Sequence, residues 1–403
     1  CSVLGSSLTS TGDGGVIVFS TGSTTGNDDN TISSCIIGPV GANLPRRAIQ
    51  SQGTNSGLAG VNSGVQILDN EIYDYFAVSG ESRGILLDAG NHAWTISGNK
   101  FYQTGTRTFT GAATHRAIDI NLITLATSGA FTISSNTIGF ANANGTGTYT
   151  LTNNSTTFRA ISLTLHTGNT VLTTVDGNTI AGISHSTTTS GIANSAPHML
   201  IYVSSGLVNI GANAGNILGS QTGPSIAFTT STASALDAYG IHNFSSLATT
   251  IANNVIGGFT AAMGTSASTS VFAPICVNTS SSVASSVTGN TVGGESAGSI
   301  AMTSATTGAV LRGLSFVTSD ATVSGNTVRN LSSANGPTGV GTTSSVVGIW
   351  FGSTAVDNIV ADNRIYGLHN SNTASTRGVL GIHYTSSTGT NTLERNFIHS
   401  LSA

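Results

Sequence analysis

The chain has 403 residues, of which 7% are charged and 38% hydrophobic, and its formal net charge is −4. One lysine against 51 glycines leaves no basic surface for nucleic acid, and no run of 18 apolar residues exists to form a membrane-spanning helix. Helix formers such as Glu, Lys and Gln are scarce and no apolar pattern has the helical period, which excludes α-helical and doubly wound folds, while the Ile and Val content still supplies a packed core.

Along the chain, the dominant feature is a recurring unit, apolar-x-small-Asn-x-apolar. Two early copies carry cysteine in place of asparagine. Cys1-Ser2-Val3 is the second half of one, and Ile32-Ser33-Ser34-Cys35-Ile36-Ile37 is a whole one. The asparagine copies follow at Asn70, Asn99, Asn136, Asn178, Asn216, Asn254, Asn290, Asn326, Asn363 and Asn396, spaced 29 to 42 residues apart, with the copy at Asn216 degenerate. The two apolar positions of the unit lie three before and two after the asparagine. Residues five apart point to opposite faces of a flat strand, so both reach one core only if the backbone turns between them. The residue before the asparagine suits a bend, being Gly98, Gly177, Gly215, Gly289 and Gly325, or Asp69, Asn253 and Asp362. Asparagine itself tolerates the left-handed conformation. Each repeat therefore reads as a strand, a corner of one or two residues, and a second strand.

A further strand is expected upstream of most asparagines, at Gly84 to Leu87, Ala117 to Ile120, Ala160 to Leu163, Gly240 to His242, Gly313 to Phe316, Gly348 to Phe351 and Gly381 to Tyr384. Three short strands per turn, with equivalent positions stacked, describe a parallel β-helix. The expectation is one continuous solenoid over residues 1–403 with 11 repeat intervals between Cys1 and Asn396. The asparagines should form one file along a corner, their amides bonded to adjacent turns. Because the sequence opens and closes within a repeat, more β-helix of the same chain is expected on both sides, with end-to-end stacking of separate copies as the alternative.

This pattern of stacked corner asparagines resembles the right-handed parallel β-helix proteins, the pectate-lyase-like superfamily, over nearly the whole chain. The Ser-, Thr-, Asn- and Gly-rich, lysine-poor composition is most similar to the very large secreted β-helix proteins of bacterial cell surfaces. The resemblance implies a right-handed all-β solenoid, an extracellular place on the bacterial surface, and a structural or adhesive role. The same scaffold hosts lyases, hydrolases, tailspikes and adhesins, so it does not itself assign a function.

Chemistry is thinly represented. The 16 carboxylates are scattered, and the one adjacent pair, Asp28-Asp29, reads as solvated turn residues. Polygalacturonase-type glycosidases of this scaffold accompany paired aspartates with His-Gly and Arg-Ile-Lys segments. Here His-Gly is absent and Arg364-Ile365-Tyr366 lacks the lysine. The calcium-binding aspartate cluster and arginine base of the pectate lyases are likewise not visible. No catalytic residue, metal or cofactor is expected. The nine histidines show no metal-ligand spacing and no Cys-x-x-Cys occurs, so structural roles are expected for them.

Four features have two readings each. Arg47, Arg83, Arg116 and Arg159 each precede a small residue and then Ile on four successive turns, and Arg312 holds the same place farther along. The strip either contacts an acidic polysaccharide or a neighbouring subunit's carboxylates, or pairs locally with Asp88, Asp119 or loop carbonyls; local pairing is expected. Tyr73, Tyr102 and Tyr366 share one offset from the asparagine, as a sugar-stacking stripe or as packing beneath a flap, the latter expected. The long Ser/Thr-rich stretches Gly139 to Phe158, Gly219 to Ala238 and Gly293 to Val310 either decorate a binding face or shield the core as a flap or added strand pair; shielding is expected. Cys1 and Cys35 occupy equivalent corners about one rung apart, which permits a disulfide. Two buried thiols in asparagine's place are the expected state.

The functional expectation is a non-enzymatic structural or adhesive segment of an extracellular bacterial surface fibre. Its partners would be more β-helix of the same chain or stacked copies, and cell-surface or environmental polysaccharide. The alternative is a polysaccharide-binding or polysaccharide-degrading β-helix protein of lyase or glycosidase type.

Overall fold

The computed structural model of the chain describes residues 1–9, 14–20, 22, 24–55, 57–121, 123–232, 234–263, 270–279, 283–303, 308–334, 343–352, 355–372, 378–386 and 389–403. It is an all-β parallel β-solenoid of about 10 turns. Among the described residues, helix is confined to 3₁₀ conformation, in the turns Leu58–Gly60 and Ala193–Ser195 and at Thr343. The chain divides into two compact units, Cys1–Ile183 with Tyr202–Asn216 and Ser184–Ile201 with Ile217–Ala403.

In the first unit, the strands before the corner pair in parallel so that Ile32, Ile67, Ile96, Ile133, Val175 and Ile210 form one file. The strands after the corner align Val3, Ile37, Ile72, Phe101, Ile138 and Ile180. In the second unit the corresponding files are Ile251, Val287, Val323, Val360 and Leu393, and Leu218, Ile256, Val292, Val328, Ile365 and Ile398. These are the apolar positions of the repeat unit, and all are buried except Val3, Ile32, Leu393 and Ile398 at the ends of the files. Each such burial contributes about 1.5–3 kcal/mol, which makes the stacked files the main cohesive term.

The corner works differently from the sequence expectation in one respect. The left-handed residue is the one before the asparagine: Ser34, Asp69, Gly98, Ser135, Gly177, Asn253, Gly289, Gly325, Asp362 and Arg395 have φ between 51° and 70°. The asparagines keep ordinary backbone angles because their side chains are committed elsewhere. In the first unit the main-chain and side-chain N–H groups of Asn70, Asn99, Asn136 and Asn178 donate to Oδ1 of the next asparagine at 2.9–3.1 Å. The second unit repeats this through Asn254, Asn290, Asn326, Asn363 and Asn396. Within a unit Nδ2 also donates back to a carbonyl of the preceding turn, as Asn99 does to Ile67 at 2.8 Å and Asn326 to Val287 at 2.8 Å. One amide thus bonds both neighbouring turns, and the file expected from the sequence is present within each unit.

The cysteine expectation is corrected. Cys1 and Cys35 are joined by a disulfide, with Cα atoms 4.5 Å apart. Rung spacing brings the pair within bonding reach. The Cys35 N–H still donates to Asn70 Oδ1 at 2.9 Å, so the ladder runs into this corner.

The long Ser/Thr-rich stretches add a fourth strand to their turns. Tyr149–Thr152 pairs with Arg107–Thr108 in the first unit. In the second, Ile226–Thr230, Phe259–Ala262, Ile300–Met302 and Leu331–Ser333 pair successively in parallel. Inward residues such as Phe228, Phe259 and Ile300 extend the core, which is the shielding reading. Residues 233 and 304–307 of these stretches lie outside the described residues.

The upstream strands are longer than the sequence pattern alone marked. They run Arg47–Ser51, Gly80–Leu87, Ala113–Ile120 and Thr156–Thr164 in the first unit. In the second they are Ala238–Asn243, Ser270–Val277, Ala309–Phe316, Val346–Phe351 and Val379–Tyr384. Ile85, Ile118 and Ile161, and Ile241, Ile275 and Leu314, face the core, and the residues flanking them carry the polar chemistry.

Candidate functional site

In the first unit, Arg47, Arg83, Arg116 and Arg159 stand in exact register on four adjacent strands, as the sequence predicted. They do not form a free cationic strip. Arg47 Nη1 donates to Gln50 Oε1 at 2.7 Å. Arg83 bonds Asp119 through Nε and Glu81 through Nη1. Arg116 Nη1 donates to both oxygens of Asp119 at 2.8 Å. The Arg159 guanidinium lies 4.0 Å from the Tyr202 ring centroid. Asp119 is fully buried and Arg83 is 5% exposed. Burial opposes ionisation of Asp119, but the two guanidinium charges outweigh it and hold the carboxyl below its ordinary range. Of the two partners expected from the sequence, Asp119 pairs with the strip, while the Asp88 carboxylate accepts the Ala89 N–H.

In the second unit, the equivalent strands enclose a cavity of about 230 Å³. Arg312, 7% exposed, lies at its wall with the guanidinium carbon 3.5 Å from the Trp350 ring centroid. No hydrogen bond or ion pair to Arg312 is present among the described residues, and its buried Nε and the buried indole Nε1 of Trp350 have no partner there. Burial pushes the Arg312 guanidinium down to about 10. One carboxylate, Asp237, also lines the cavity, but its oxygens are occupied. Oδ2 accepts from the Ala193 N–H at 2.8 Å and from the Tyr239 hydroxyl at 2.7 Å, and Oδ1 accepts from the Val271 N–H at 2.8 Å. Burial raises the Asp237 carboxyl above its usual range. The Cys276 thiol borders the same cavity, and burial followed by the charge of Asp237 pushes it up to about 12, so it is a poor nucleophile.

Sequence reasoning named Arg312 but missed this cavity. A signal was present in the strand row already aligned: the register His242, Cys276, Ser315, Trp350, His383 puts polar and aromatic residues in one file beside Arg312.

The remaining candidates are structural. Tyr73 and Tyr102 stack at 5.3 Å, and the Tyr102 hydroxyl donates to Glu71 at 3.0 Å. The Tyr73 ring lies where a Cβ on Gly38 would stand, which explains that glycine. Tyr366 stacks on His399 at 5.0 Å. Asp28 is exposed and accepts from the Ser63 N–H at 2.9 Å, and Asp29 has φ 54°, so the pair shapes a turn.

Two histidine clusters escaped sequence reasoning. In the first unit His115 lies 2.7 Å from Ser82 Oγ and 2.6 Å from the Tyr149 hydroxyl, which is 2.8 Å from that of Tyr75. In the second, His185 Nδ1 lies 2.9 Å from His198 Nδ1, and His198 Nε2 lies 2.9 Å from Thr230 Oγ1. All four residues of the first cluster and both histidines of the second are fully buried, out of reach of a substrate. Among the described residues, no group of three or more His, Cys, Asp or Glu could hold a metal ion. No family model, no curated protein and no solved structure matches the chain.

Proposed function

We propose that the chain is a structural or adhesive segment of an extracellular bacterial surface fibre, akin to the β-helix proteins its sequence resembles. The observation that carries this reading is the asparagine ladder. Within each unit, successive ladder amides bond one turn to the next, so those turns present their neighbours with the same acceptor and donor set. Stability in such a repeat is a sum of nearest-neighbour terms, and length can be added without redesigning a core. The Cys1–Cys35 disulfide supports an oxidising, extracellular compartment. The internally paired guanidinium groups of Arg83 and Arg116 support a scaffold role for that face.

Immunogold labelling of intact producing cells with antibodies to this segment tests the proposal. Gold on surface filaments is expected. Label confined to the cytosol overturns it. Release of unsaturated ends or reducing sugars from pectin, polygalacturonate, alginate or neutral glycans by the purified chain would replace it with the polysaccharide-degrading alternative.

A further inference from the structure

A buried guanidinium needs acceptors. Leaving a charged group desolvated and unpaired costs several kcal/mol, which is why buried arginines are ordinarily forked onto a carboxylate. Arg312 meets the burial condition and lacks the pairing. Stacking on Trp350 compensates part of the charge, on the order of 2 kcal/mol for a desolvated pair, but satisfies none of the N–H donors. The nearby carboxylate of Asp237 is held by two backbone amides and a tyrosine hydroxyl; it attracts the arginine through its charge but makes no hydrogen bond or ion pair to it. The cavity therefore offers donors in excess of acceptors: the guanidinium fork and the Trp350 indole N–H. Its other walls include Ile192, Val271 and Val317.

We propose that this cavity binds a small monocarboxylate with an apolar body, its carboxylate forked by Arg312 and its body against Ile192, Val271 and Val317. The planar guanidinium matches a carboxylate in two parallel hydrogen bonds, and the indole N–H adds a third donor to the same end. A volume of about 230 Å³ admits an occupant the size of benzoate, and with Ser315 the one wall hydroxyl left unpartnered among the described residues, most hydroxyls of a sugar acid would meet apolar wall or committed polar groups. The occupant supplies the acceptor that the chain itself provides to Arg83 and Arg116 but not to Arg312.

The test uses the full 403-residue chain and titrates benzoate, benzyl alcohol as its neutral isostere, and glucuronate, followed by calorimetry and by Trp350 fluorescence. Saturable benzoate binding at least tenfold tighter than that of benzyl alcohol or glucuronate is expected. Arg312→Gln should weaken it tenfold or more. Because that variant could fold poorly, two further readouts accompany it. Ile192→Glu, at an exposed position on the rim, removes an apolar contact and places a like charge at the entrance, so it should weaken benzoate more than benzyl alcohol. Arg312→Lys, which keeps the charge but loses the planar fork, should bind benzoate less tightly than the parent chain and more tightly than Arg312→Gln. Absence of saturable binding, which would mean that water alone fills the cavity, overturns the proposal. So does equal affinity for benzoate and benzyl alcohol, a preference for glucuronate, or unchanged benzoate affinity in a folded Arg312→Gln chain.

Discussion

Arg83 and Arg312 occupy the same place in the strand pattern and are almost equally buried, yet their surroundings are opposite. In the first unit the register sets Asp119 beside two arginines, and the carboxylate takes bonds from both. In the second unit the file beside Arg312 supplies Cys276, Ser315 and Trp350, and the available carboxylate is committed to backbone amides. The contrast teaches that a repeat position tolerates a buried charge on two terms. Either a neighbouring turn supplies the counter-charge, which makes a closed structural site, or it does not, which leaves an open site whose acceptor comes from outside.

The comparison breaks most sharply at Asp119. Asp119→Ala leaves the half-buried Arg116 without its carboxylate and the buried Arg83 with Glu81 alone, and a loss of about 3 kcal/mol is expected in urea denaturation. A loss below about 1 kcal/mol would show that the two arginines do not depend on that carboxylate. The ladder sets a reference for a neutral buried network. Asn290→Leu strands the Asn254 N–H and the Ile251 carbonyl, and should cost about 2–4 kcal/mol. An unchanged melting temperature would remove the ladder from the list of stabilising features.

A third contrast lies within the second unit, where His185 and His198 are buried as a hydrogen-bonded pair while Arg312 is not paired at all. Burial pushes His185 down to about 3, and burial together with His185 pushes His198 well below its ordinary value. The folded state thus keeps both neutral while the unfolded chain takes up protons below about pH 6.5. Stability from this pair is present above that pH and lost as pH falls toward 3. About 2 kcal/mol should disappear between pH 6 and pH 5. A urea midpoint that is flat over this interval, or an acid limb unchanged in the His185→Gln, His198→Gln double variant, contradicts the assignment. The smallest effect is expected at Arg312 itself. Arg312→Met removes a buried charge that has no hydrogen-bond acceptor together with its stack on Trp350, so the two effects offset and stability should change by less than about 1 kcal/mol or rise. A loss above about 2 kcal/mol would mean that the guanidinium is already satisfied within the chain, and the open half of the comparison would fall.

The strand rows, the corner, the asparagine file and the arginine register were all legible in the sequence, because a solenoid writes its lattice as a period. Residues with the same offset from each asparagine land on top of one another, and apolar positions five apart demand a turn between them. Tertiary structure decided what lies across a rung and who faces whom. The sequence could not choose between thiols and a disulfide at Cys1 and Cys35, since that depends on side-chain geometry over a few tenths of an ångström. It did not show that His185 meets His198, because the connecting stretch sets that approach and carries no period. Nor did it show that Asp237 is held by the Ala193 and Val271 amides, which leaves Arg312 alone at a cavity wall. Local pattern determines where each turn stacks, because stacking repeats the same backbone bonds. Pairing of buried polar groups depends on orientation and on non-repeating segments, and those exist only once the chain is folded.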